Sequence, residues 1–420
     1  MENKLKDILI IVYKFPPMGG IGTRRWAKFA KYLVRAGYKV HVLTSFYKYQ
    51  DINNWQKDIL HENIVIHNFK SFYPNWLIKS YQNKNLNRIL RIITYVLNKT
   101  IFYSDVAQYD TKRILLKAKQ IINENNIKNV IASGHPISIN YTSTYLKIDN
   151  PDLNLIQDFR DNWNDLNIYH YPSKKGLPFF KIKEDMAYKE FFTLYYSDVV
   201  INVSEDLTNR LINKNKQIKD KLITITNGFD KDDFENIKSN SDNSDFNIVY
   251  TGTLFNGRSE AINLILDAII DLNDEFINDN LKILVYSNYD FNRLNKKYVS
   301  LFNKNIFFNQ FIEPTKVFEV ISKCRYCLSI NSPTANYAFG TKIFDYMGLN
   351  KKIIHISNQG ILYDILESEN QYVCEYNLEQ MKNVLKELKN DFINNENEAS
   401  YNFEEFDIQN LIKRFENIFI

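Results

Sequence analysis

Short apolar runs that do not alternate with polar residues recur along the chain, and each ends in a polar or glycine-bearing loop. The first covers residues 7–13, Asp-Ile-Leu-Ile-Ile-Val-Tyr. A strand covered on both faces reads this way. Residues 14–22 follow, with Pro16 and Pro17 to bar a helix and Gly19, Gly20 and Gly22 to allow close backbone approach. From Thr23 the apolar spacing turns helical through Trp26, Phe29, Ala30 and Leu33, and Gly37 marks the stop. Residues 38–44 are a second strand, so the chain opens as strand, helix, strand, the unit of a parallel sheet.

The pattern is less regular over residues 50–125. Residues 62–67 read as a strand. Residues 84–99 read as an amphipathic helix, with Leu86, Ile89, Leu90, Ile93, Val96 and Leu97 on one side and Lys84, Arg88 and Arg91 on another. Such a helix either packs with a solvated basic face or docks on anionic lipid. Strands then recur at 127–133, 153–157, 199–203 and 222–226. In open parallel sheets ligands sit beyond the carboxyl ends of the strands. Gly19 to Gly22, His135 and the stretch Asp158-Phe159-Arg160-Asp161 all follow strands, and they are expected to line one crevice, although Asp158, Arg160 and Asp161 read equally as a structural ion-pair cluster that orders a loop.

Residues 236–246 are polar and rich in Asn, Ser and Asp, as a linker would be. A new alternation begins with the strand at 247–253. A loop with Gly257 and Arg258, a helix through Leu264 to Ile269, strands at 283–286 and 306–308, a helix at 315–324 and a strand at 326–330 come next. Residues 339–348 then read as a glycine-bearing loop and a short helix, with a strand to 356. Thr341 is placed as the N-cap, Lys342 opens the helix and Asp345 lies one turn in. That arrangement suits an anion, with a carboxylate for ribose hydroxyls. It equally suits a dipole-favoured Asp beside a solvated Lys. Residues 406–419 close the chain as an amphipathic helix.

At 420 residues the chain calls for two domains. Its 45% apolar and 24% charged composition is that of a soluble globular protein. With no secretory leader and no membrane-length apolar run, a cytoplasmic location is expected. Residues 1–235 carry 35 Lys and Arg against 24 Asp and Glu, and residues 236–420 carry 18 against 25, so a basic half precedes an acidic one. The basic half implies an anionic partner: an anionic membrane surface, a phosphorylated acceptor or nucleic acid. Cys324 and Cys327 have the spacing of half a zinc site, but no second pair exists, so they are assigned to the core. A nicotinamide-binding fingerprint is disfavoured because the second strand ends Leu43-Thr44-Ser45-Phe46, with no acid for the ribose.

Taken in order, these motifs resemble a glycosyltransferase family. Phe15-Pro16-Pro17-Met18-Gly19-Gly20-Ile21-Gly22 is similar to the N-terminal glycine loop of the large retaining family four. Asp158-Phe159-Arg160-Asp161-Asn162-Trp163 resembles a D-x-R-D-x-W stretch in a polysaccharide-assembly branch. Thr226-Asn227-Gly228-Phe229-Asp230 and Tyr250-Thr251-Gly252-Thr253 fit as well. The resemblance covers roughly residues 7–419. It implies an α/β chain of GT-B fold, two doubly wound parallel-sheet (Rossmann-like) domains facing a central cleft: 1–235 on the acceptor side, a 236–246 linker, 247–402 for the nucleotide sugar, and a helix over 403–420 that can pack back on the first domain.

The implied activity is retaining, metal-independent transfer of a sugar from a nucleoside diphosphate sugar to a saccharide or lipid-linked acceptor in cell-surface polysaccharide assembly. No cofactor, no metal and no nucleic acid are implied. Peripheral contact with an anionic membrane, at its inner face, is open to the basic half. By resemblance His135, Arg258 and Asp161 are catalytic, with Arg258 neutralising the leaving diphosphate and His135 contacting the transferred sugar. Gly19, Gly20, Gly22, Gly252, Thr253, Gly340, Thr341, Lys342 and Asp345 would hold the donor. The family's usual paired acids are altered: the first falls near Tyr337 and the second is Asp345. A second basic residue is replaced by Thr253, for which Lys342 would compensate. A nucleotide-sugar epimerase of the same fold and an inactive scaffold subunit remain the alternatives.

Overall fold

The computed structural model describes residues 5–48, 55–79, 81, 83–102, 105–161, 163, 177–237, 245–290, 295–310, 312, 314–394 and 402–420. Most of the 236–246 linker, Asn162 and the end of the Asn-rich run at 390–397 lie outside the described residues. The chain divides into two compact units, Met1–Thr226 with Leu411–Ile420, and Asn227–Asn410.

The first unit holds seven parallel strands, β1 (Lys6–Val12), β2 (Tyr38–Ser45), β3 (Ile64–Phe69), β4 (Asn129–Ser133), β5 (Asn154–Phe159), β6 (Val199–Asn202) and β7 (Leu222–Thr224). Their order is β3-β2-β1-β4-β5-β6-β7. The sheet therefore reverses direction of growth between β1 and β4, where Ile8 aligns with both Val40 and Asn129. The continuous apolar run of β1 is explained by its central place. Leu9 and Ile11 pack with Ile114, Ala118, Ile121 and Ile139, and the whole of Ile8 to Ile11 is buried. The closing residues Leu411–Ile420 belong to this unit. Phe415 stacks edge-on to Trp26 at 5.7 Å and Phe29 at 5.3 Å, and Asn154 donates to the Ile418 carbonyl at 2.7 Å. Burying a Phe of this kind contributes roughly 2–3 kcal/mol.

Residues 84–100 form the expected helix, Lys84–Thr100, but its apolar residues make two stripes, not one. Leu90, Ile93 and Leu97 pack on Tyr73, Leu77 and Phe102. Ile89 and Val96 were expected on that side and are exposed. At about 100° per residue they lie roughly 70–90° away from the packed seam.

The second unit holds β8 (Asn247–Thr251), β9 (Lys282–Tyr286), β10 (Ile306–Asn309), β11 (Tyr326–Ile330), β12 (Lys352–Ile356) and β13 (Tyr372–Cys374). All pair in parallel in the order β10-β9-β8-β11-β12-β13, which repeats the connectivity of the first six strands, so its switch point lies between β8 and β11. Residues 227–235 precede the polar stretch yet pack here: Phe229 joins the core of Val249, Phe344 and Phe406. Cys324 and Cys327 are buried core residues, and burial pushes the Cys324 thiol up to about 11. No helix among the described residues is long and apolar enough to cross a membrane.

Candidate functional site

Each unit carries a cluster of polar side chains at the carboxyl ends of its central strands. In the first unit a pocket of about 230 Å³ opens at the β1/β4 switch point, lined among others by Lys14, Gly22, His135, Arg160 and Asp161. The loop after β1 enters the helix Ile21–Arg35 through Gly20, whose φ of +108° is a conformation that favours glycine. The Thr23 hydroxyl donates back to the Gly20 carbonyl at 2.8 Å. Arg160, at the end of β5, donates to the Gly22 carbonyl at 2.7 Å and so ties the first turn of this helix to β5.

Asp158 does not line the pocket. It is fully buried and accepts from Arg25 Nη2 at 3.0 Å, Arg25 Nε at 3.2 Å, Trp26 Nε1 at 2.9 Å and Ser133 Oγ at 2.7 Å. Arg25 also donates to the carbonyls of Ile225 at 3.0 Å and Thr226 at 2.8 Å. Asp158 and Arg25 therefore tie β4, β5, the first helix and the segment after β7 together. The expectation that all of Asp158 to Asp161 faces one crevice is corrected on this point. Successive strand residues point to opposite faces, and the four hydrogen bonds turn Asp158 inward. Trp163 is structural too, stacked on Phe159 with centroids 4.6 Å apart. Gly19 and Gly20 form the turn and are not among the pocket's lining residues.

His135 follows β4 and is half-buried. Its Nε2 lies 3.6 Å from Asp161 Oδ2, a charge contact longer than a hydrogen bond. Burial pushes its pKa down; Asp161 and Asp105 act the other way, and Arg160 adds to the lowering. The imidazole is thus largely neutral at pH 7, suited to accept or donate one hydrogen bond. Burial, and then Arg160, hold the Lys14 ammonium below its usual value, although the residue reaches solvent. Lys14 was not singled out in the sequence. Its only signal there is a cation placed directly after the first strand.

In the second unit Lys342 reaches over the carboxyl end of β8 and donates to the Thr251 carbonyl. Burial lowers its pKa to about 8; Asp345 opposes this and Arg258 adds to it. Gly252 makes the approach possible. A Cβ there would come 2.6 Å from Lys342 Nζ and 2.9 Å from the Tyr250 hydroxyl. Arg258 sits half-buried at the N-terminus of the helix Ser259–Leu272. Its side chain makes no hydrogen bond or ion pair among the described residues, whereas its backbone N donates to the Phe255 carbonyl at 3.4 Å. Two cations thus act on each other across this strand end, a poor arrangement alone and a good one around a polyanion.

The helix Thr341–Gly348 is capped by Gly340, with no side-chain hydrogen bond to its first turn. The placement of Thr341 as N-cap is corrected: Gly340 has the extended backbone of a cap and its carbonyl accepts from Ile343 N at 3.1 Å. Asp345 is buried at 5% exposure and acts on Lys342 as its main favourable charge. Tyr337 is buried as well, whereas Thr253 and Gly340 are exposed.

No protein-family profile matches the chain, and no curated protein matches it. Solved structures do. Sucrose-phosphate synthase from Thermosynechococcus elongatus is similar at a TM-score of 0.63 and 12% identity, covering 98% of each chain. HepE from Anabaena, solved in complex with UDP-glucose, is similar at 0.60 and 12%, again covering 98% of each chain. The UDP-GlcNAc 2-epimerase from Methanocaldococcus jannaschii is similar at 0.53 and 11%, covering 99% of each chain. At such identities the likeness is one of fold: two doubly wound parallel sheets in one chain, the GT-B fold.

Proposed function

We propose that the chain is a retaining glycosyltransferase that moves a sugar from a nucleoside diphosphate sugar to a saccharide or lipid-linked acceptor in cell-surface polysaccharide assembly. The observation that carries this reading is the pair Lys342 and Arg258 at the carboxyl end of β8, two cations with little counter-charge of their own. A departing diphosphate supplies that charge. In the proposed reaction the bond between the anomeric carbon and the diphosphate oxygen breaks, and the acceptor oxygen bonds to the same face of that carbon. The acceptor's proton passes to the leaving phosphate oxygen. Lys342 and Arg258 take up the charge that develops on the diphosphate. Gly252, Thr253, Gly340 and Thr341 offer backbone groups to the donor, and Asp345 keeps Lys342 protonated. Neutral His135, with Asp161 beside it, is assigned to the transferred sugar, and Gly19, Gly20 and Gly22 shape the loop of the first unit. Likeness to sucrose-phosphate synthase and to a UDP-glucose complex supports a sugar-nucleotide donor.

Arg258→Ala tests it. Transfer should fall by about 100-fold or more while thermal unfolding stays unchanged; full activity overturns the assignment. A second reading, a nucleotide-sugar epimerase, draws on the likeness to the epimerase fold. Such an enzyme turns over the donor with no acceptor present.

A further inference from the structure

Residues 63–104 contain six basic residues and not one aspartate or glutamate. Within them the helix Lys84–Thr100 spends one apolar stripe on the protein, through Leu90, Ile93 and Leu97. Its second stripe faces solvent, with Ile89 55%, Ile92 59%, Tyr95 58% and Val96 49% exposed. Arg88 and Arg91 are exposed next to that stripe and make no ion pair among the described residues. Trp76, just before the helix, is also exposed. An isolated exposed isoleucine needs no explanation. A continuous stripe with unpaired arginines beside it does.

We infer that this helix is a docking surface for an anionic lipid bilayer, lying in the headgroup plane with Ile89, Ile92 and Val96 below the phosphates and Arg88 and Arg91 among them. Charge decides the occupant. A second copy of this chain, pairing through the same face about a two-fold axis, would offer Arg88 and Arg91 only another segment with no acid between residues 63 and 104. An anionic leaflet instead attracts each basic side chain and accepts the apolar stripe. Aromatic residues such as Tyr95 and Trp76 suit the headgroup level. Use of this surface to reach a lipid-linked acceptor rests on the transfer reading; lipid docking itself does not, so the two fail separately.

The test uses the full chain with vesicles of phosphatidylcholine alone and vesicles that also contain phosphatidylglycerol, read by flotation. The wild type should float only with the anionic vesicles, and less so as salt rises. Ile89→Ser/Ile92→Ser and Arg88→Gln/Arg91→Gln should each weaken binding about tenfold or more, with unchanged thermal unfolding. The arginine pair keeps the test decisive if the isoleucine variant fails to fold. The inference is overturned if the wild type ignores anionic vesicles, or if the folded variants bind as the wild type does. It is equally overturned if the free protein is a dimer that Ile89→Ser/Ile92→Ser turns into a monomer. A chain that docks yet transfers no sugar contradicts only the proposed function.

Discussion

Raising the pH from 7 to 9 removes one charge from the proposed diphosphate site, because the Lys342 ammonium titrates at about 8. It is roughly 90% protonated at pH 7 and roughly 10% at pH 9. A nucleoside diphosphate that needs the ammonium sees only that fraction of the protein as competent. Its dissociation constant should therefore rise about tenfold, close to 1.4 kcal/mol, over this interval. With a last pKa near 6, the ligand's own phosphates are already about 90% ionised at pH 7 and change the affinity only about 1.1-fold up to pH 9. Lys342→Arg should bind with no slope, since a guanidinium does not titrate here. Calorimetry with UDP and with GDP at pH 7, 8 and 9 reads the effect. A flat wild-type profile, or an equal slope in Lys342→Arg, refutes the role given to Lys342. Stability moves the other way. The folded state holds Lys342 below its ordinary 10.5, so the unfolded chain binds more protons between pH 8 and 10.5 and stability rises with pH through that window. The penalty is fully present below pH 8. Lys342→Met should accordingly unfold at the same or a higher temperature at pH 7 while losing diphosphate binding.

Asp158→Asn should destabilise the chain by about 3–5 kcal/mol, because it leaves the Arg25 guanidinium buried beside a neutral amide. Urea unfolding checks this, and a loss under about 1 kcal/mol together with lost activity would make Asp158 a participant in the chemistry instead. Gly252→Ala should push Lys342 off the Thr251 carbonyl, since the new methyl would stand 2.6 Å from Nζ. UDP or GDP affinity should drop about tenfold, with a loss of stability of about 1–3 kcal/mol because the methyl also crowds the buried Tyr250 ring, and unchanged affinity contradicts the packing argument.

Much of the fold was legible because buried parallel strands are near-continuous apolar runs. β1, β8 and β11 announce themselves in this way, and the loops after them fix where ligands can sit. β13 did not, since Tyr372–Cys374 is a three-residue run closed off by Gln371 and Glu375, whereas the equally short β7 sits in a run that continues to Ile225. The site was legible to the level of loops but not of side-chain direction. Asp158 and Asp161 look equivalent in sequence, yet one is locked in place by four hydrogen bonds and the other faces the pocket. The two apolar stripes of Lys84–Thr100 merge into one in a helical reading, because only packing against Tyr73, Leu77 and Phe102 tells them apart. Thr341 lost the cap to Gly340 by one position, the usual scale of error at a helix end.

The measurement that bears most directly on the proposed activity is proton NMR of the reaction with a panel of nucleotide sugars, with and without saccharide acceptors. The expected result is acceptor-dependent release of nucleoside diphosphate and a product whose anomeric coupling matches that of the donor sugar. Inverted coupling in the product, or an epimerised nucleotide sugar formed with no acceptor present, would contradict retaining transfer.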